Sequence, residues 1–158
     1  MADDLQRLEE WFGRIMAGLS PAERRRAATK LGVALRKSNL ARITANRQED
    51  GSAMEPRKPR RERKKKKRLR NKRMFLRMRL TRNWRIDATE DGVEIRPLTP
   101  LIETIGAVSQ FGEVAPVGQG RDGRTIRVRY AERRLLGFSE EDKQLAIDIA
   151  ADMLDPDR

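Results

Sequence analysis

Lysine and arginine side chains in the middle of the chain have the clearest capacity for chemistry. Thirteen of the seventeen residues from Arg57 to Arg73 are basic, and Glu62 is the single acidic residue among them. Ammonium and guanidinium groups bind phosphates and carboxylates. Because taking such charges out of water without partners is costly, this basic arm must stay solvated or meet an anionic surface.

The basic arm has three interpretations. In the first, it is a solvated run of like charges, which is typically disordered. In the second, it neutralises nucleic-acid phosphates, so that affinity falls steeply as salt rises; the seven aromatic residues of the chain are too few to predict a base-stacking platform. In the third, it lies across an acidic surface of a neighbouring protein or subunit. The residues predicted to contact a partner or phosphate are Arg60, Arg61, Arg63, Lys64, Lys65, Lys66, Lys67, Arg68, Arg70, Lys72 and Arg73.

Two other groups of residues have a chemical interpretation, and each also has a simpler one. Gly118, Gly120 and Gly123 match the Gly-x-Gly-x-x-Gly pattern of dinucleotide sites, which needs a strand before it and a helix after it. A strand is predicted to follow here, so the pattern indicates a hairpin turn. The carboxylates at 140–142 are consecutive on a predicted helix and point in different directions. They are predicted to cap the helix rather than to hold a metal.

The composition excludes most catalytic chemistry. The chain has no cysteine and no histidine, and therefore no thiolate nucleophile, no disulfide and neither of the commonest zinc ligands. We expect no enzyme activity, no cofactor and no metal. No apolar stretch approaches the roughly 18 residues of a membrane span, which predicts a protein made and used in a cytoplasm, without a membrane partner.

Net charge divides the chain into three parts. Residues 56–85 carry +16, whereas residues 1–55 carry +2 and residues 86–158 carry −6, which together give the formal charge of +12. A near-neutral body is thus interrupted by a cationic arm, and the acidic C-terminal part offers a surface on which an arm can lie. We expect one structural domain with parts at 1–47 (helical hairpin), 48–80 (linker and basic arm) and 81–158 (α+β body).

Two helices are predicted before the arm. Apolar residues at helical spacing indicate a first helix from about Asp3 to Leu19. Ser20, Pro21 and Glu23 supply the cap, the first-turn proline and the capping box of a second helix. Each helix has an apolar stripe, so the two are predicted to pack as an antiparallel hairpin. The residues predicted to pack this hairpin are Leu8, Phe12, Leu31 and Leu35.

The rest of the chain mixes helices and strands. A short helix is predicted over residues 68–79, where the arm regains apolar residues. Alternating patterns then indicate one β-hairpin beginning at Trp84 and a second from Val114 to Tyr130, in which Pro116 belongs at an edge or bulge. A helix ending at Gly112 separates the hairpins. The fold class is α+β: a helical hairpin, a projecting basic arm with a short helix, a small antiparallel sheet of about four strands packed with helices, and a C-terminal helix.

Several blocks resemble, in this order, a known protein family. The blocks are "LSPAERRRAATKLGVALRKSNLARI", "KRMFLRMRLTRNWRI", "IGAVSQFGE" and "VRYAERRLLGFSEEDKQLAIDIAADML". Together they resemble the phage virion morphogenesis family, the tail completion (gpS-like) proteins of contractile-tailed temperate phages, which also includes a protein of phage Mu. The resemblance runs from about Leu19 to Leu154. In the last block an arginine stands where the family usually has a proline, which bears on the local turn. The residues that match the family's motifs are Gln110, Phe111, Gly112, Ala131, Leu135, Leu136, Gly137, Phe138 and Ser139.

The resemblance implies a non-enzymatic role in tail assembly. Members of the family finish the head-proximal end of the tail so that a filled head can join, and proteins at that position commonly form rings. The implied partners are further copies of the chain in a ring, as a hexamer, together with tail-tube and neck or head-completion proteins, and non-specifically the DNA in the channel. The implied location is the tail or neck of the virion, after assembly in the host cytoplasm.

A closed ring uses two different patches on each subunit. We expect one patch to include the arm and the other to lie on the acidic C-terminal face. The sheet is predicted to be packed against its helices by Phe111, Leu135, Leu136 and Phe138. The alternative function is a basic nucleic-acid-binding protein that uses the arm on the phosphate backbone.

Overall fold

The structure, a computed structural model, describes residues 10, 13–14, 17–57 and 74–153. The predicted packing residues Leu8 and Phe12 lie outside these residues, and so does the arm from Lys58 to Arg73. Of the predicted helical hairpin, the structure therefore describes mainly the second helix. The described residues of the first predicted helix that are helical are Glu10, Gly13, Arg14 and Ala17.

Helix α1 spans Pro21–Ala45. It begins as predicted, because the Ser20 hydroxyl accepts a hydrogen bond from the amide of Glu23 while the Glu23 carboxylate accepts one from the amide of Ser20 at 2.8 Å. This reciprocal capping satisfies two amides that the first turn of a helix leaves unpaired. The helix ends at Asn46, which has a left-handed φ of 54°. Of its predicted packing residues, Leu35 is buried and Leu31 is half-buried.

Strands β1 (Trp84–Ala88) and β2 (Val93–Pro97) form the first predicted hairpin, after a short 3₁₀ turn at Thr81–Asn83. They pair antiparallel and pack against α1. Gly32 of α1 permits the close contact: a Cβ there would lie 2.5 Å from Cγ2 of Val93. A side chain at this position would clash, so the glycine fixes where the hairpin crosses the helix.

Helix α2 (Pro100–Phe111) separates the first hairpin from the second, which is formed by β3 (Val114–Gln119) and β4 (Thr125–Arg129). The helix ends as predicted at Gly112, where the φ of 64° favours glycine. Strands β3 and β4 pair antiparallel, and the register shifts after Pro116. The predicted bulge is therefore confirmed.

Helix α3 (Glu140–Met153) closes the described chain and packs against α1. Its N-terminus is capped as predicted: the amide of Asp142 donates to Oγ of Ser139 at 3.2 Å, and the amide of Ser139 donates to Oδ2 of Asp142 at 3.0 Å. The buried face of the helix carries Ala146 and Ile149. The cap and the apolar face together hold α3 against α1.

The described strands form two separate two-stranded sheets rather than the single sheet of about four strands that the sequence predicts. Strand β1 pairs with β2, and β3 pairs with β4. Pro116 has no amide hydrogen, and the bulge beside it interrupts the ladder. Strand β3 is therefore a poor edge for a further strand, although the fold class remains α+β as predicted.

The described end of the predicted arm helix is not helical. Residues 76–79 form turns, and Phe75 has a left-handed φ of 57° that a continuing α-helix excludes. Residues 68–73 lie outside the described chain. The apolar side chains of Met74, Phe75 and Met78 are all buried. The apolar residues of this segment are therefore buried in the core without forming a helix. The helical prediction is wrong over the described part of the segment.

The hydrophobic core lies between α1, α2 and the segment on which the chain returns from the arm. The Trp84 indole donates a hydrogen bond to the carbonyl of Met78 at 2.7 Å, which fixes that segment against β1. Met54, before the arm, and Met74, after it, belong to the same cluster. The buried members of the core are Leu40, Ile43, Met54, Met74, Phe75, Met78, Trp84, Ile102 and Leu135. The core therefore holds the chain on both sides of the arm.

Candidate functional site

The two motif blocks predicted from the sequence come together in the structure. One block, residues 110–112, lies at the C-terminal end of α2. The other is residues 131–139, which we call the strap. The strap has no regular helix or strand, yet it is hydrogen-bonded to α1, to α2 and to the loop after α1. The site is therefore built from segments far apart in the sequence.

Gln110 joins the two blocks through its side-chain amide. Its Oε1 accepts hydrogen bonds from the backbone amides of Leu135 at 2.7 Å and Leu136 at 3.0 Å, and its Nε2 donates to the carbonyl of Leu136 at 3.0 Å. The adjacent Gly112 brings the backbones close, because a Cβ there would lie 3.1 Å from the amide nitrogen of Glu132. The end of α2 thus holds the strap at three backbone groups.

Side chains along the strap alternate between the inside and the outside. Arg133, Leu135 and Ser139 are buried, whereas Phe138 is 51% exposed. This is the period of two that an extended chain imposes, and it places Phe138 on the outside. Phe111 is 69% exposed at the last position of α2. Of the residues predicted to pack the sheet against its helices, Leu135 is 2% exposed and Leu136 packs at the edge of the core. Both phenylalanines are exposed, so a buried packing role for them is wrong.

Arg42 of α1 binds the C-terminal end of the strap through a buried ion pair. Its Nη1 lies 2.6 Å from Oδ2 of Asp142 and donates to Oγ of Ser139 at 3.1 Å, while its Nη2 donates to the carbonyl of Gly137 at 2.7 Å. Burial acts to raise the pKa of Asp142, but hydrogen bonds from Ser38 and Ser139 and the charge of Arg42 outweigh it and hold the pKa below its usual value. The carboxylate therefore stays ionised beside the guanidinium.

Asn39 and Glu49 also contact the strap at Gly137. Oδ1 of Asn39 accepts hydrogen bonds from the amide of Gly137 at 3.0 Å and from Nη2 of Arg42 at 2.9 Å. Gly137 also packs closely against the loop after α1, since a Cβ there would lie 2.9 Å from the side chain of Glu49. The strap therefore reaches Ser139 in one fixed position.

Arg133 ties the strap to the chain just before the arm. Its amide donates to the carbonyl of Ser109 at 2.7 Å, and its guanidinium donates to the carbonyls of Glu55 at 2.6 Å and Pro56 at 3.3 Å. Burial lowers the pKa of this guanidinium, and the charge of Glu55 opposes that effect. Because Arg133 is only 8% exposed, the start of the arm is held by a buried cation rather than by a flexible surface contact.

The predicted contact residues of the basic arm, Arg60 to Arg73, lie outside the described chain. Their role as contacts for a partner or phosphate stays a prediction. The described chain fixes both ends of the arm, because Glu55 and Pro56 are bound by Arg133 and Met74 is buried in the core. The arm is therefore an insertion between two fixed points.

Sequence patterns missed the polar residues that position the strap. Arg42 stands in a stretch of α1 where polar residues become more frequent, and Leu40 and Ile43 near it are buried. A charged residue between two buried positions is a signal for a buried ion pair. Gln48, whose Oε1 accepts from the amide of Arg134 at 2.9 Å, lies in a polar stretch with no such signal. Asp142 is foreseeable as the third residue after the Ser139 cap.

The described polar groups around the strap form a hydrogen-bond network with one another and with backbone. Within the described residues, no group of three or more acidic side chains is placed to hold a metal ion. None of the helices in the described ranges is long and apolar enough to cross a membrane. The polar groups of the strap are directed at one another and at backbone, so they position a surface.

Comparison with known proteins identifies the family. The sequence pattern of the phage virion morphogenesis family matches residues 3–155. The chain is 31% identical over 147 residues to tail completion protein S of Escherichia phage P2, a match that covers 93% of this chain and 95% of that protein. No solved structure matches the chain. The resemblance noted in the sequence motifs is confirmed, and the chain belongs to the phage virion morphogenesis family.

Proposed function

We propose that this chain is a structural subunit that completes a phage tail, and that it works as a ring at the head-proximal end of the tail. The observation that carries the proposal is the likeness to tail completion protein S, which spans nearly the whole of both chains. A match of that extent includes the strap, α1 and the sequence of the arm. The role is therefore proposed for the whole subunit and not for one motif.

The chemistry of the subunit supports adhesion rather than catalysis. The sequence has no histidine and no cysteine, and the described polar network around the strap bonds backbone groups. A dense run of positive charge either stays solvated or meets anionic groups, and we propose that the arm meets such groups on another molecule. The acidic C-terminal part of a neighbouring copy supplies such groups, because residues 86–158 carry a net charge of −6.

A ring follows from this arrangement if arm and acidic face lie on different sides of the subunit. Contacts between two different patches close into a ring when the rotation between neighbours closes. We propose a hexamer that contacts the tail tube below and the neck or head-completion proteins above, in the virion after assembly in the host cytoplasm. Neither the family nor the relative supports the alternative of a nucleic-acid-binding protein, and DNA contact is kept as an outcome of the tests below.

Complementation tests the tail-completion role. A phage that lacks this protein is expected to accumulate filled heads and separate tails, and supplying the chain from a plasmid should restore joined particles. Electron microscopy of the lysates distinguishes the two outcomes. Normal joined particles in the absence of the protein would refute the proposal.

The arm can be tested separately in the same assay. Reversing Arg61, Lys65 and Lys67 to glutamate is expected to reduce the yield of joined particles, because the arm would then repel an acidic partner surface. The matched control reverses Arg25, Arg26 and Lys37, which are exposed on α1, to glutamate, which makes the same change in net charge away from the arm. Equal yields from the arm variant and the unchanged chain would show that the arm is only solvated charge.

A further inference from the structure

An apolar groove opens beside the two ends of the arm. It has a volume of about 520 Å³ and runs between the segment returning from the arm, helix α2 and the β3–β4 hairpin. Four exposed apolar side chains line it, namely Leu76, Ile105, Val117 and Val128. Leu76 is 62% exposed. A surface of this kind on an isolated subunit is typical of a binding site.

The hairpin that forms one wall of the groove lacks support within the subunit. Every residue of β4 is exposed, and in β3 only Ala115 is partly buried. The register places Ala115 opposite Val128, so these two share a face with Ile126. An isolated two-stranded hairpin is marginally stable in water. A partner that covers its apolar face would stabilise it.

The charges at the groove indicate what kind of partner fits. Arg57, Arg77 and Arg129 line it, and Glu55 is the single carboxylate among its lining residues. The basic sequence of the arm also joins the described chain at Arg57. An apolar group flanked by carboxylates therefore complements the groove in both polarity and charge.

The same chain presents such a group at the other end of the strap. Phe138 is exposed, and it is followed after the Ser139 cap by Glu140 and Glu141, which are exposed as well. The hydrogen bonds from Arg42 and Asn39 to Gly137 hold this corner in place. Because the corner is already ordered, binding it loses little conformational entropy.

We propose that the Phe138–Glu141 corner of one copy docks in the groove of the next copy. In this contact Phe138 packs in the groove against Leu76 and Ile105. Glu140 and Glu141 form ion pairs with Arg77 and Arg129 at the edge of the groove. Corner and groove are different patches, so the contact runs head to tail and propagates around a ring. This inference rests on the proposed ring function and names the contact that closes the ring.

Cysteine cross-linking tests the contact directly. The chain has no cysteine, so single substitutions introduce unique thiols. We would mix Glu141→Cys and Arg77→Cys proteins in equal amounts, treat them with a short bismaleimide, and separate the products by size. Dimers are expected in the mixture and not in either variant alone. Absence of dimers in the mixture, or equal yields from a single variant, would overturn the head-to-tail assignment.

A matched pair of substitutions tests the role of the aromatic side chain. Phe138→Ala is expected to raise the dissociation constant of the oligomer by about tenfold or more, since buried aromatic anchors dominate such contacts. Phe111→Ala removes an equally large and more exposed ring outside the groove, and should leave the constant within about twofold. Equal effects of the two substitutions would overturn the inference. Circular dichroism of both variants checks that each remains folded.

The outcomes separate this inference from the proposed function. If the protein forms an oligomer of one size and Phe138→Ala leaves it unchanged, the proposed groove contact is contradicted and the proposed ring is not. A chain that stays monomeric at every concentration would contradict both the groove contact and the ring. A Glu141→Arg variant that assembles only when mixed with Arg77→Glu would support the contact through restored charge pairing.

Discussion

The strap has hydrogen-bond partners along its length, whereas the β3–β4 hairpin is bonded almost entirely to itself. Arg42 and Gln110 direct donors and acceptors at the strap backbone and its cap, and Leu135 of the strap is buried. Arg133 of the strap donates to the carbonyls of Ser109, Glu55 and Pro56. Every residue of β4 and all of β3 except Ala115 are exposed. The comparison teaches that this small subunit fixes its strap through contacts within the chain, whereas the proposed docking supplies the hairpin with a partner. Substitutions in the two regions should therefore affect different measurements.

Removing Arg42 should have the largest effect on stability. Arg42→Ala leaves Asp142, which is 1% exposed, as an unpaired buried charge, and such a loss typically costs about 3–5 kcal/mol. Urea denaturation measures the free energy of unfolding. The control is Arg85→Ala, which breaks a pair with Asp87 in which the arginine is 59% exposed, and which should cost about 1 kcal/mol or less. Similar losses from both variants would contradict a fold held at the strap.

Acid should remove part of the same stabilisation. The pKa of Asp142 is lowered in the folded protein, so its ionised form stabilises the fold above the pKa of the unfolded chain, about 3.9. That contribution is lost as pH falls through the lower folded value. The free energy of unfolding should therefore drop below about pH 4, and the drop should be smaller in Asp142→Asn. An identical acid profile in the two proteins would contradict this role of Asp142.

Removing Gln110 should have an intermediate effect. Gln110→Ala leaves the amides of Leu135 and Leu136 without their side-chain partner, at a cost of about 1–3 kcal/mol. Gln144→Ala is the matched control, because Gln144 is exposed on α3 and bonds Asp148 four residues away. Thermal melts of both proteins would show the difference. A larger shift in the control would argue that Gln110 does not hold the strap.

A substitution in the hairpin should have the smallest effect on stability. Ile126→Thr changes an exposed side chain of β4, so the free energy of unfolding should move by about 0.5 kcal/mol or less. Its effect should appear instead in the dissociation constant of the oligomer. If Ile126→Thr lowered the free energy of unfolding by more than Gln110→Ala does and left the dissociation constant unchanged, the comparison between the two regions would be contradicted.

Sequence patterns could predict the elements but not the way they meet. The Ser20 and Ser139 caps, the Gly112 terminus and the turns of both hairpins each depend on residues close together in the chain, and local chemistry determines them. The contacts of Arg42 with Gly137 and Asp142 join positions about a hundred apart. Spacing within one element carries no signal for such pairs. The exposed Phe138 illustrates the same point, since its direction depends on a strap whose anchors lie on other elements.

The arm shows a second limit of prediction from the sequence. An apolar pattern at Met74, Phe75 and Met78 is compatible with one face of a helix, but the chain makes turns there and buries these side chains in the core. Apolar spacing reports burial more reliably than it reports the backbone conformation of a short segment. The structure brings the motif residues of the strap and of α2 together, while the arm residues that motivate the partner prediction lie outside the described chain.

The mass of the native protein at moderate salt tests the central claim most directly. The account predicts a discrete oligomer of one size, which falls to monomers in Phe138→Ala and in the arm variant with Arg61, Lys65 and Lys67 reversed to glutamate. A monomer at every concentration, whose arm binds DNA with an affinity that falls steeply with salt, would contradict the account and restore the nucleic-acid-binding alternative.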